Sequence, residues 1–498
     1  MTILYKLPIP ALCLAILLAA MPLPSDANNL ASQLPDIGDA GGTVLSASEE
    51  KQLGLEFMRN IRQNLDLVDD PITTAYLQNI ADKLQPKSGD IEQNITIFIV
   101  NDPTINAFAG PGGYIGVHTG LILAARKEGE LAAVLAHEMA HVLQRHLART
   151  FETNSKMSLS TLGAIIAALV LGSHNPQASQ AVIASSVAGN AQQQLTFSRS
   201  HEQEADRVGL ELLASAGYDP RMMVSFFEVL QQQQRAQNNM APEFLQTHPL
   251  TLSRIADARN RAEQYPKFPP EKETAFQLIQ ARMAVLTDET ESNPFTNNGR
   301  TITDVAKQYY QALVAAKSND YPKARKLLAR LLHDDPRRLI FPYTAAQIEL
   351  NDNHPDKARL ILKRALTTFP GNPLLTELNA KALLELNKAQ MAYNTLKTAI
   401  NRHPKQLYLY QTYAKAASRM GNNVEGYHAL AEYQYALGNV RQAIDYLQQA
   451  LDLGTADKFD RLSIEARLKE LKKEAMERDQ SNGKKDDSGH FFGAISKY

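Results

Sequence analysis

The sequence predicts a mainly α protein in two parts, an α+β unit with a small β-sheet followed by an α-helical solenoid. Apolar residues recur at helical spacing through most of the chain, and two β-branched runs lie between residues 95 and 118. Residues 301–479 repeat with a period of about 34 residues, which is typical of stacked helix pairs. The length of 498 residues accommodates both parts, since an average domain holds about 150 residues.

The composition is that of a globular protein, with 44% apolar and 21% charged residues. It excludes a fully disordered, collagen-like or polytopic membrane protein. The net charge of −1 conceals an asymmetry, because residues 1–300 carry 22 basic and 31 acidic side chains and residues 301–498 carry 30 and 22. The opposite signs indicate two units with different roles. The positive charge of the second half is too dilute to predict nucleic-acid binding.

Residues 1–27 have the pattern of a secretory signal. Lys6 precedes an apolar stretch over residues 9–21, and a small-x-small pattern ending at Ala27 predicts cleavage near that residue. A membrane anchor, the alternative, needs about 20 apolar residues, and two prolines end this stretch earlier. The single cysteine also lies inside the signal, so the mature chain cannot form a disulfide. We therefore predict export, most simply into a bacterial periplasm.

The first unit is predicted to begin with two amphipathic helices between Glu49 and Leu84. Two short strands follow, Ile95–Val100 and Tyr114–His118, and then a helix with apolar residues at helical spacing around Leu135. Clustered prolines near residue 270 close the unit. The predicted parts of the chain are the signal (1–27), a lead-in (28–48), the first unit (49–270), a linker helix with a polar loop (271–300), the solenoid (301–479) and a flexible tail (480–498).

Leu159–Leu171 is an apolar run that polar residues and a glycine interrupt. It is too short to cross a bilayer, which takes about 20 residues. We expect a buried helix or a lid. Shallow peripheral contact with a membrane is the alternative.

Alanine recurs at a constant interval in the second part of the chain, at Ala312, Ala346, Ala380 and Ala414. Four further columns share the period: Ala324, Ala358 and Ala392; Leu328, Leu362 and Leu396; Leu332, Leu366 and Ile400; Pro336, Pro370 and Pro404. A last unit keeps the internal spacing but follows its predecessor at a longer interval, from Ala392 to Ala443. The pattern resembles the tetratricopeptide repeat and predicts about four repeats. The concave face of such a solenoid predicts a groove for a partner segment, and a structural lid over the first unit is the alternative.

His137-Glu138-Met139-Ala140-His141 is the sharpest chemical motif. Residues four apart lie on one face of a helix, so the two imidazoles can converge on one metal ion. Glu138 lies beside them, where its carboxylate can accept a proton from the attacking water. His146, five positions past His141, is expected to lie off the metal face, and His118 is expected to be a packing or surface residue.

A catalytic zinc takes three protein ligands and keeps one position open. Glu202, on a later predicted helix, is the candidate third ligand. Asp206 is one helical turn further along the same predicted helix, so it faces the same cleft and can orient a ligand histidine from outside the ligand set. A solvated acidic helix face is the alternative interpretation of this cluster.

These motifs resemble those of the M48 gluzincin peptidases, over about residues 49–265. The resemblance is carried by the HExxH helix, by the E-x-x-A-D pattern from Glu202 to Asp206, and by the segment Asn106-Ala-Phe-Ala-Gly-Pro-Gly-Gly-Tyr-Ile-Gly-Val-His-Thr-Gly-Leu-Ile122. It implies an α+β metallopeptidase fold for the first unit. Unlike the membrane-spanning members of the family, this chain has no predicted transmembrane helix.

The resemblance also implies roles for particular residues. His137, His141 and Glu202 correspond to the ligands of one zinc ion per chain, and Glu138 corresponds to the general base. The strand Tyr114, Ile115, Gly116 and Val117 is interpreted as a substrate-binding edge strand, which would pair with an extended peptide, or else as an ordinary strand of the sheet.

His248 and Arg254 belong to a His-Pro-x-x-x-x-Arg-Ile pattern that also recurs in M48 peptidases. Three interpretations of His248 stay open: a fourth zinc ligand that keeps the enzyme latent, a hydrogen-bond donor to the tetrahedral oxyanion, or a structural residue. Arg254 is a further candidate for stabilising charge in the transition state.

The sequence therefore predicts an exported zinc endopeptidase joined to a repeat solenoid. The resemblance implies misassembled outer-membrane proteins as substrates, a partnership of the repeats with the β-barrel assembly machinery, and a chaperone-like role in barrel maturation. The alternative is a binding or chaperone module whose protease is largely latent.

Overall fold

The computed structural model describes residues 46–86, 94–152, 191–236, 242–270, 272–288, 295, 301–454 and 458–486. The predicted signal, most of the lead-in, the Leu159–Leu171 run and residues 487–498 lie outside these parts. The described chain is mainly helical, with one three-stranded sheet. Among its helices, none combines the length and the apolar character that crossing a bilayer requires.

The first unit begins with two capped helices. Ser46 and Glu49 form a capping box at the start of the first helix, and Asp70 caps the second, which has Pro71 in its first turn. In chain order the elements are α1 (Ala47–Asn64), α2 (Pro71–Leu84), β1 (Thr96–Val100), β2 (Ala107–Ala109), β3 (Tyr114–His118), α3 (Thr119–Ala124), α4 (Glu128–Leu143), α5 (His146–Glu152), α6 (Ala191–Ala216), α7 (Arg221–Ala236), α8 (Glu243–Thr247) and α9 (Leu252–Glu263). Both predicted strands and the predicted HExxH helix are present.

The sheet has the order β1-β3-β2, with β1 parallel and β2 antiparallel to β3. The prediction that Tyr114, Ile115, Gly116 and Val117 form an edge strand is therefore wrong, because β3 is the central strand and pairs on both sides. The strand at the edge is β2, a short strand that includes two alanines and shows no strand pattern of its own. Strand order depends on tertiary packing, which local pattern does not report.

The outer side of β1 is covered. The Gln78 side-chain amide donates to the carbonyl of Ile95 (2.9 Å) and accepts from the N–H of Ile97 (3.1 Å), as a neighbouring strand would. The N–H of Val68 donates to the carbonyl of Ile99 further along (3.0 Å). The two edges of the sheet therefore differ: hydrogen bonds cover the outer edge of β1, whereas β2 packs against α4.

A buried helix, α10 (Thr274–Leu286), occupies the segment predicted to link the two units. All of residues 276–284 are buried, and the three polar side chains among them, Gln277, Gln280 and Arg282, are hydrogen-bonded. The amide of Gln280 donates to the carbonyls of Ile122 (2.9 Å) and Ala125 (2.8 Å) in the first unit. Since α10 also packs on the first repeat helix, one continuous core joins the two units.

The solenoid contains five helix pairs in the described residues, whereas the sequence predicted about four. Its helices are α11 (Asp304–Lys317), α12 (Tyr321–Asp334), α13 (Ile340–Asn351), α14 (Pro355–Thr368), α15 (Pro373–Glu385), α16 (Ala389–Arg402), α17 (Tyr408–Arg419), α18 (Asn423–Ala436), α19 (Val440–Leu453) and α20 (Lys458–Asp486). The longer interval from Ala392 to Ala443 equals one and a half periods of the repeat. The last repeated pattern therefore starts on α18, the second helix of the fourth pair.

The repeats return to the first unit at their far end. The guanidinium of Arg59 on α1 donates to the carbonyl of Gly438, and that of Arg62 donates to the carbonyl of Leu437 (3.0 Å). Gly438 has a positive φ of 82°, and a Cβ there would lie 2.8 Å from the carbonyl oxygen of Leu55. The loop between α18 and α19 therefore approaches α1 closely only because residue 438 is glycine.

Candidate metal centre

The helix that carries the HExxH motif, α4, is anchored at its first turn. The carboxylate of Glu128 accepts hydrogen bonds from the hydroxyls of Tyr76 on α2 and Tyr218 beyond α6. Glu130, which is fully buried, pairs with Arg126 and accepts from the hydroxyl of Ser225 on α7. Acidic residues are favourable at a helix N-terminus, and here they also attach α4 to three neighbouring segments.

His137 and His141 lie one turn apart on α4, and their Nε2 atoms are 3.1 Å from each other. The side chain of His137 is 4% exposed and that of His141 is 16% exposed. The sequence predicted that these imidazoles converge, and the structure places them so.

Glu202 reaches both histidines from α6. Its carboxylate oxygens lie 3.4 Å from Nε2 of His137 and 3.4 Å from Nε2 of His141. Gly209 lies where the two helices pack together, and a Cβ there would lie 3.4 Å from the backbone nitrogen of His137 and 3.0 Å from Cε of Met223. The two halves of the predicted ligand set, which are far apart in sequence, thus meet in space.

His248 also lies in this cluster, directly after α8. Its Nδ1 is 3.0 Å from Glu202 Oε1 and 3.3 Å from His137 Nε2, and its Nε2 is 3.5 Å from Glu138 Oε1. The ring of Phe244 stacks on it at 4.7 Å between centroids. One ligand atom from each of His137, His141, Glu202 and His248 lies within 4.8 Å of the others.

Glu138 is fully buried beside the cluster, and neither of its carboxylate oxygens has a hydrogen-bond partner among the described residues. Burial raises the pKa of Glu138, and the neighbouring His248 and His137 oppose this rise, with a smaller effect from the backbone of Ala109 on β2. Buried polar atoms without partners are rare in folded proteins. The buried Glu138 carboxylate is therefore the candidate proton acceptor of the site.

Asp206 and Arg254 hold the inner side of the cluster. Asp206 Oδ1 lies 3.1 Å from His137 Nδ1, and the Arg254 guanidinium donates to both Asp206 oxygens at 2.7 and 2.8 Å. Arg254 Nη1 also pairs with Glu202 (2.8 Å). Burial alone would raise the pKa of Asp206, but the hydrogen bonds from Arg254 and His137 lower it. Arg254 is thus bound to carboxylates in the structure, rather than directed at a bound peptide.

The two imidazoles of the HExxH motif differ in their pKa. Burial alone would lower the pKa of His137, but hydrogen bonds to Asp206 and Glu202 raise it to about 10. Burial lowers the pKa of His141 to about 3, and Glu202 only partly opposes this. A metal ion needs neutral imidazole nitrogens, so its binding to this cluster releases protons.

Sequence reasoning missed a contact of His146. It lies outside the group of possible metal ligands, as its position five residues past His141 predicted. Its contact with His141 was not predicted: the side chain is buried, and its Nδ1 lies 2.9 Å from Nδ1 of His141. The helix α4 ends before it, and Arg145 has a positive φ of 51°, so the chain turns and brings residue 146 back under His141. His118, expected to be a packing or surface residue, is 2% exposed and contacts Thr104 (2.9 Å).

The donor set fits a divalent transition metal. Imidazole nitrogen and carboxylate oxygen are the ligands that zinc takes in catalytic sites. The cluster offers three imidazoles and one carboxylate whose ligand atoms lie within 4.8 Å of one another, and next to it lies the Glu138 carboxylate, which has no hydrogen-bond partner among the described residues. These features define the class of the protein as a metal-dependent peptidase.

Comparison with known proteins gives the particular family. The profile of Peptidase family M48 matches residues 71–262. The chain is 38% identical to the putative beta-barrel assembly-enhancing protease of Vibrio cholerae over 332 aligned residues. This alignment covers 65% of this chain and 68% of that protein. It is 35% identical to the beta-barrel assembly-enhancing protease of Escherichia coli over 350 aligned residues. This second alignment covers 68% of this chain and 71% of that protein. The chain belongs to peptidase family M48 and is a metalloprotease.

A more distant similarity is limited to part of the chain. The mitochondrial metalloendopeptidase OMA1 of Schizosaccharomyces pombe is 32% identical over 203 residues, which is 41% of this chain and 56% of that protein. The relatives therefore include bacterial proteins named as proteases and a fungal protein named as a metalloendopeptidase.

Proposed function

We propose that the protein is a periplasmic zinc endopeptidase that degrades misassembled outer-membrane proteins and assists their assembly through its repeats. His137, His141 and Glu202 would hold one zinc ion per chain. The observation that carries the catalytic part is Glu138, whose buried carboxylate lies beside the donor cluster and has no hydrogen-bond partner in the described parts of the chain.

The proposed mechanism gives separate roles to the metal ligands, to Glu138 and to the pair Asp206 and Arg254. A zinc ion held by these ligands would supply Lewis acidity, which lowers the pKa of water and polarises a carbonyl oxygen. Glu138 accepts the proton of the attacking water and returns it to the leaving amine, a role that its raised pKa suits. Asp206 orients His137 through Nδ1, and Arg254 holds Asp206 and Glu202 in place.

Substrate binding is assigned to β2 instead of β3. The carbonyl of Asn106 accepts from the N–H of His118 (3.0 Å), and the N–H of Gly110 donates to the carbonyl of Tyr114 (2.7 Å). Hydrogen-bonded positions alternate in an antiparallel pair, so the N–H and C=O groups of Ala107 and Ala109 point away from β3. The backbone of Ala109 is also near enough to Glu138 to affect its pKa. An extended peptide paired with this edge would run across the metal centre.

His248 is proposed as a fourth ligand that keeps the resting enzyme latent. Its Nδ1 lies within hydrogen-bond distance of Glu202 (3.0 Å), and its ring nitrogens belong to the group of possible metal ligands. The oxyanion role requires His248 to leave the cluster and to donate a hydrogen bond to the tetrahedral intermediate. The structural role requires no movement and no contact with the substrate. A protein that stays latent would serve mainly as a binding or chaperone module, which is the alternative function.

The solenoid supplies a surface for a protein partner. A cavity of about 390 Å³ lies along the first helices of successive pairs, α13, α15 and α17. Gln347, Lys381 and Lys415, which share one position of the repeat period, line it. The names of the bacterial relatives refer to β-barrel assembly, so the β-barrel assembly machinery of the outer membrane is the partner proposed here. Peripheral membrane contact through residues 159–171 and signal cleavage near Ala27 are further proposals.

Zinc content and cleavage of an unfolded outer-membrane β-barrel protein test the proposal. The mature wild-type chain and Glu138→Gln should both bind one zinc, and only the wild type should cleave. Glu211→Gln is the matched control, because it makes the same change on the exposed side of α6 and should cleave normally. Cleavage by Glu138→Gln would contradict the role of Glu138, and no zinc in the wild type would contradict the zinc site.

His248→Ala separates the remaining possibilities. Faster cleavage would support the latent ligand, slower cleavage with zinc retained would support the oxyanion role, and unchanged cleavage would reject both. If neither the wild type nor His248→Ala cleaves, the chaperone alternative stands. It predicts that both still prevent aggregation of the unfolded barrel protein.

A further inference from the structure

The two histidines of the HExxH motif are supported differently on the side away from the metal position. Nδ1 of His137 lies 3.1 Å from the carboxylate of Asp206. Nδ1 of His141 instead lies 2.9 Å from Nδ1 of His146. Nε2 of His146 lies 3.1 Å from Glu204 Oε2. His141 is thus connected to a carboxylate through a second imidazole.

We infer that His146 and Glu204 are positioning residues that fix the tautomer and orientation of His141 for metal binding. This relay rests on the proposed zinc site and extends it by two residues. It consists of Glu204, His146 and His141, in that order, with Arg149 bound to Glu204 at 2.9 Å.

The protons follow from the chemistry of the groups. An ionised carboxylate only accepts hydrogen bonds, so Nε2 of His146 carries a proton toward Glu204. The Nδ1 atom of a neutral His146 is then an acceptor, and His141 must donate to it from its own Nδ1. This leaves the lone pair of His141 on Nε2, which is the atom that faces His137 and Glu202. The charge of Glu204, acting through His146, thereby selects the tautomer of His141 that can bind a metal ion.

The surroundings hold His146 in this position. The ring of His201 on α6 stacks on it, with centroids 4.1 Å apart and an interplanar angle of 6°. The turn at Arg145 brings it under His141, and Thr150 donates to its carbonyl oxygen (2.7 Å). Glu204 and Glu202 both come from α6, so one helix supplies the carboxylate of the cluster and the carboxylate of the relay.

Zinc affinity of the full mature chain, measured by competition with a chelator, tests the relay. His146→Phe keeps the ring and its stack on His201 but removes both nitrogens, and should weaken zinc binding about 10- to 100-fold. His146→Asn keeps an amide oxygen near the position of Nδ1 and should recover part of the loss. Glu204→Ala should weaken binding by less than His146→Phe, because the imidazole itself stays.

Three controls separate positioning from packing. Glu211→Ala removes an exposed carboxylate from the same helix and should bind zinc like the wild type. The thermal unfolding midpoint of the metal-free chain reports packing alone. Cobalt substitution reports ligand geometry, and its visible absorption should change in His146→Phe and return toward the wild type in His146→Asn.

Several outcomes would overturn the relay. Wild-type zinc affinity in His146→Phe would do so, and so would a lower unfolding midpoint of the metal-free variant without any loss of affinity. If His146→Phe does not fold, equal affinity in Glu204→Ala and Glu211→Ala would overturn it instead. A wild-type chain that binds no zinc would reject the proposed function together with the relay, whereas normal wild-type binding with unaffected variants would reject the relay alone.

Discussion

Two buried arginine–aspartate pairs in this protein are chemically alike but lie at different places, one at the metal centre and one at the junction of the two units. Arg254 and Asp206 lie at the metal centre and are each 4% exposed in their side chains. Arg282 and Asp70 lie where α10, α2 and the repeats meet, with side chains 4% and 5% exposed. In both pairs the guanidinium donates to both carboxylate oxygens, at distances between 2.6 and 2.9 Å.

The pairs differ in the third partner of each carboxylate. Asp206 contacts Nδ1 of His137, a proposed metal ligand. Asp70 accepts from the N–H of Thr73 and caps α2, while Arg282 also reaches Gln347 in the repeats (3.1 Å). A buried ion pair contributes little net stability relative to apolar residues of the same shape, but breaking one half of it is costly. The junction pair should therefore be replaceable as a unit, and the metal-centre pair should not.

The largest effect is expected from breaking the junction pair. Arg282→Leu leaves Asp70 buried without its cation, and should lower the free energy of unfolding by about 3–5 kcal/mol. Denaturant unfolding of the metal-free chain measures it. Arg261→Leu is the control, because Arg261 pairs with Asp257 on the surface and should contribute less than about 1 kcal/mol. Equal losses in the two variants would show that burial does not decide the cost.

The metal-centre pair should affect binding more than folding. Asp206→Asn has nearly the same shape but removes the charge that orients His137, and should weaken zinc binding about 10- to 100-fold. Competition with a chelator measures the affinity, and Asp257→Asn on the surface of α9 is the matched control. Unchanged zinc affinity in Asp206→Asn would mean that Asp206 serves the fold, as Asp70 does.

The two pairs also mark where sequence reasoning succeeded and where it ended. The HExxH motif and the residues Glu202 and Asp206 could be placed on two helix faces, because spacing within one helix is a local property. The period of the repeats likewise reports contacts between sequence neighbours. Arg282 gave no such indication, because its partner lies 212 residues away.

Three further features of the molecule needed the tertiary structure for a similar reason. The central position of β3 depends on the pairing of β2, which is too short to show a strand pattern. His146 reaches His141 through a turn at Arg145 that breaks the helical spacing. Gly438 meets Arg59 on α1 across 379 positions of the chain. In each case the contact follows from how elements pack rather than from their own periodicity.

Acid should weaken the junction pair by a smaller amount. Burial alone would raise the pKa of Asp70, but the charge and hydrogen bonds of Arg282 outweigh it and hold the pKa below its ordinary value. The unfolded chain, with an aspartate pKa of about 3.9, therefore binds this proton first as the pH falls. Stability from Asp70 is present above that pKa and is lost as the pH falls through the lower, folded value.

The pH dependence of the free energy of unfolding measures this contribution. Between about pH 5 and pH 2, the slope should be steeper in the metal-free wild type than in Asp70→Asn, which has no carboxylate to titrate. Asp257→Asn, at an exposed pair, should keep the wild-type slope. Identical slopes in the wild type and Asp70→Asn would show that the junction pair does not contribute to acid sensitivity.

The smallest effect is expected from replacing the whole junction pair. Asp70→Asn with Arg282→Met leaves no buried charge, and asparagine can still cap α2 through its side-chain oxygen. The double variant should recover more than half of the stability that Arg282→Leu loses, which denaturant unfolding would show. The same double change at Asp206 and Arg254 should leave zinc affinity as low as in Asp206→Asn, because no charge then orients His137. Recovery of zinc affinity there would mean that both pairs serve only the fold, and the distinction between them would fail.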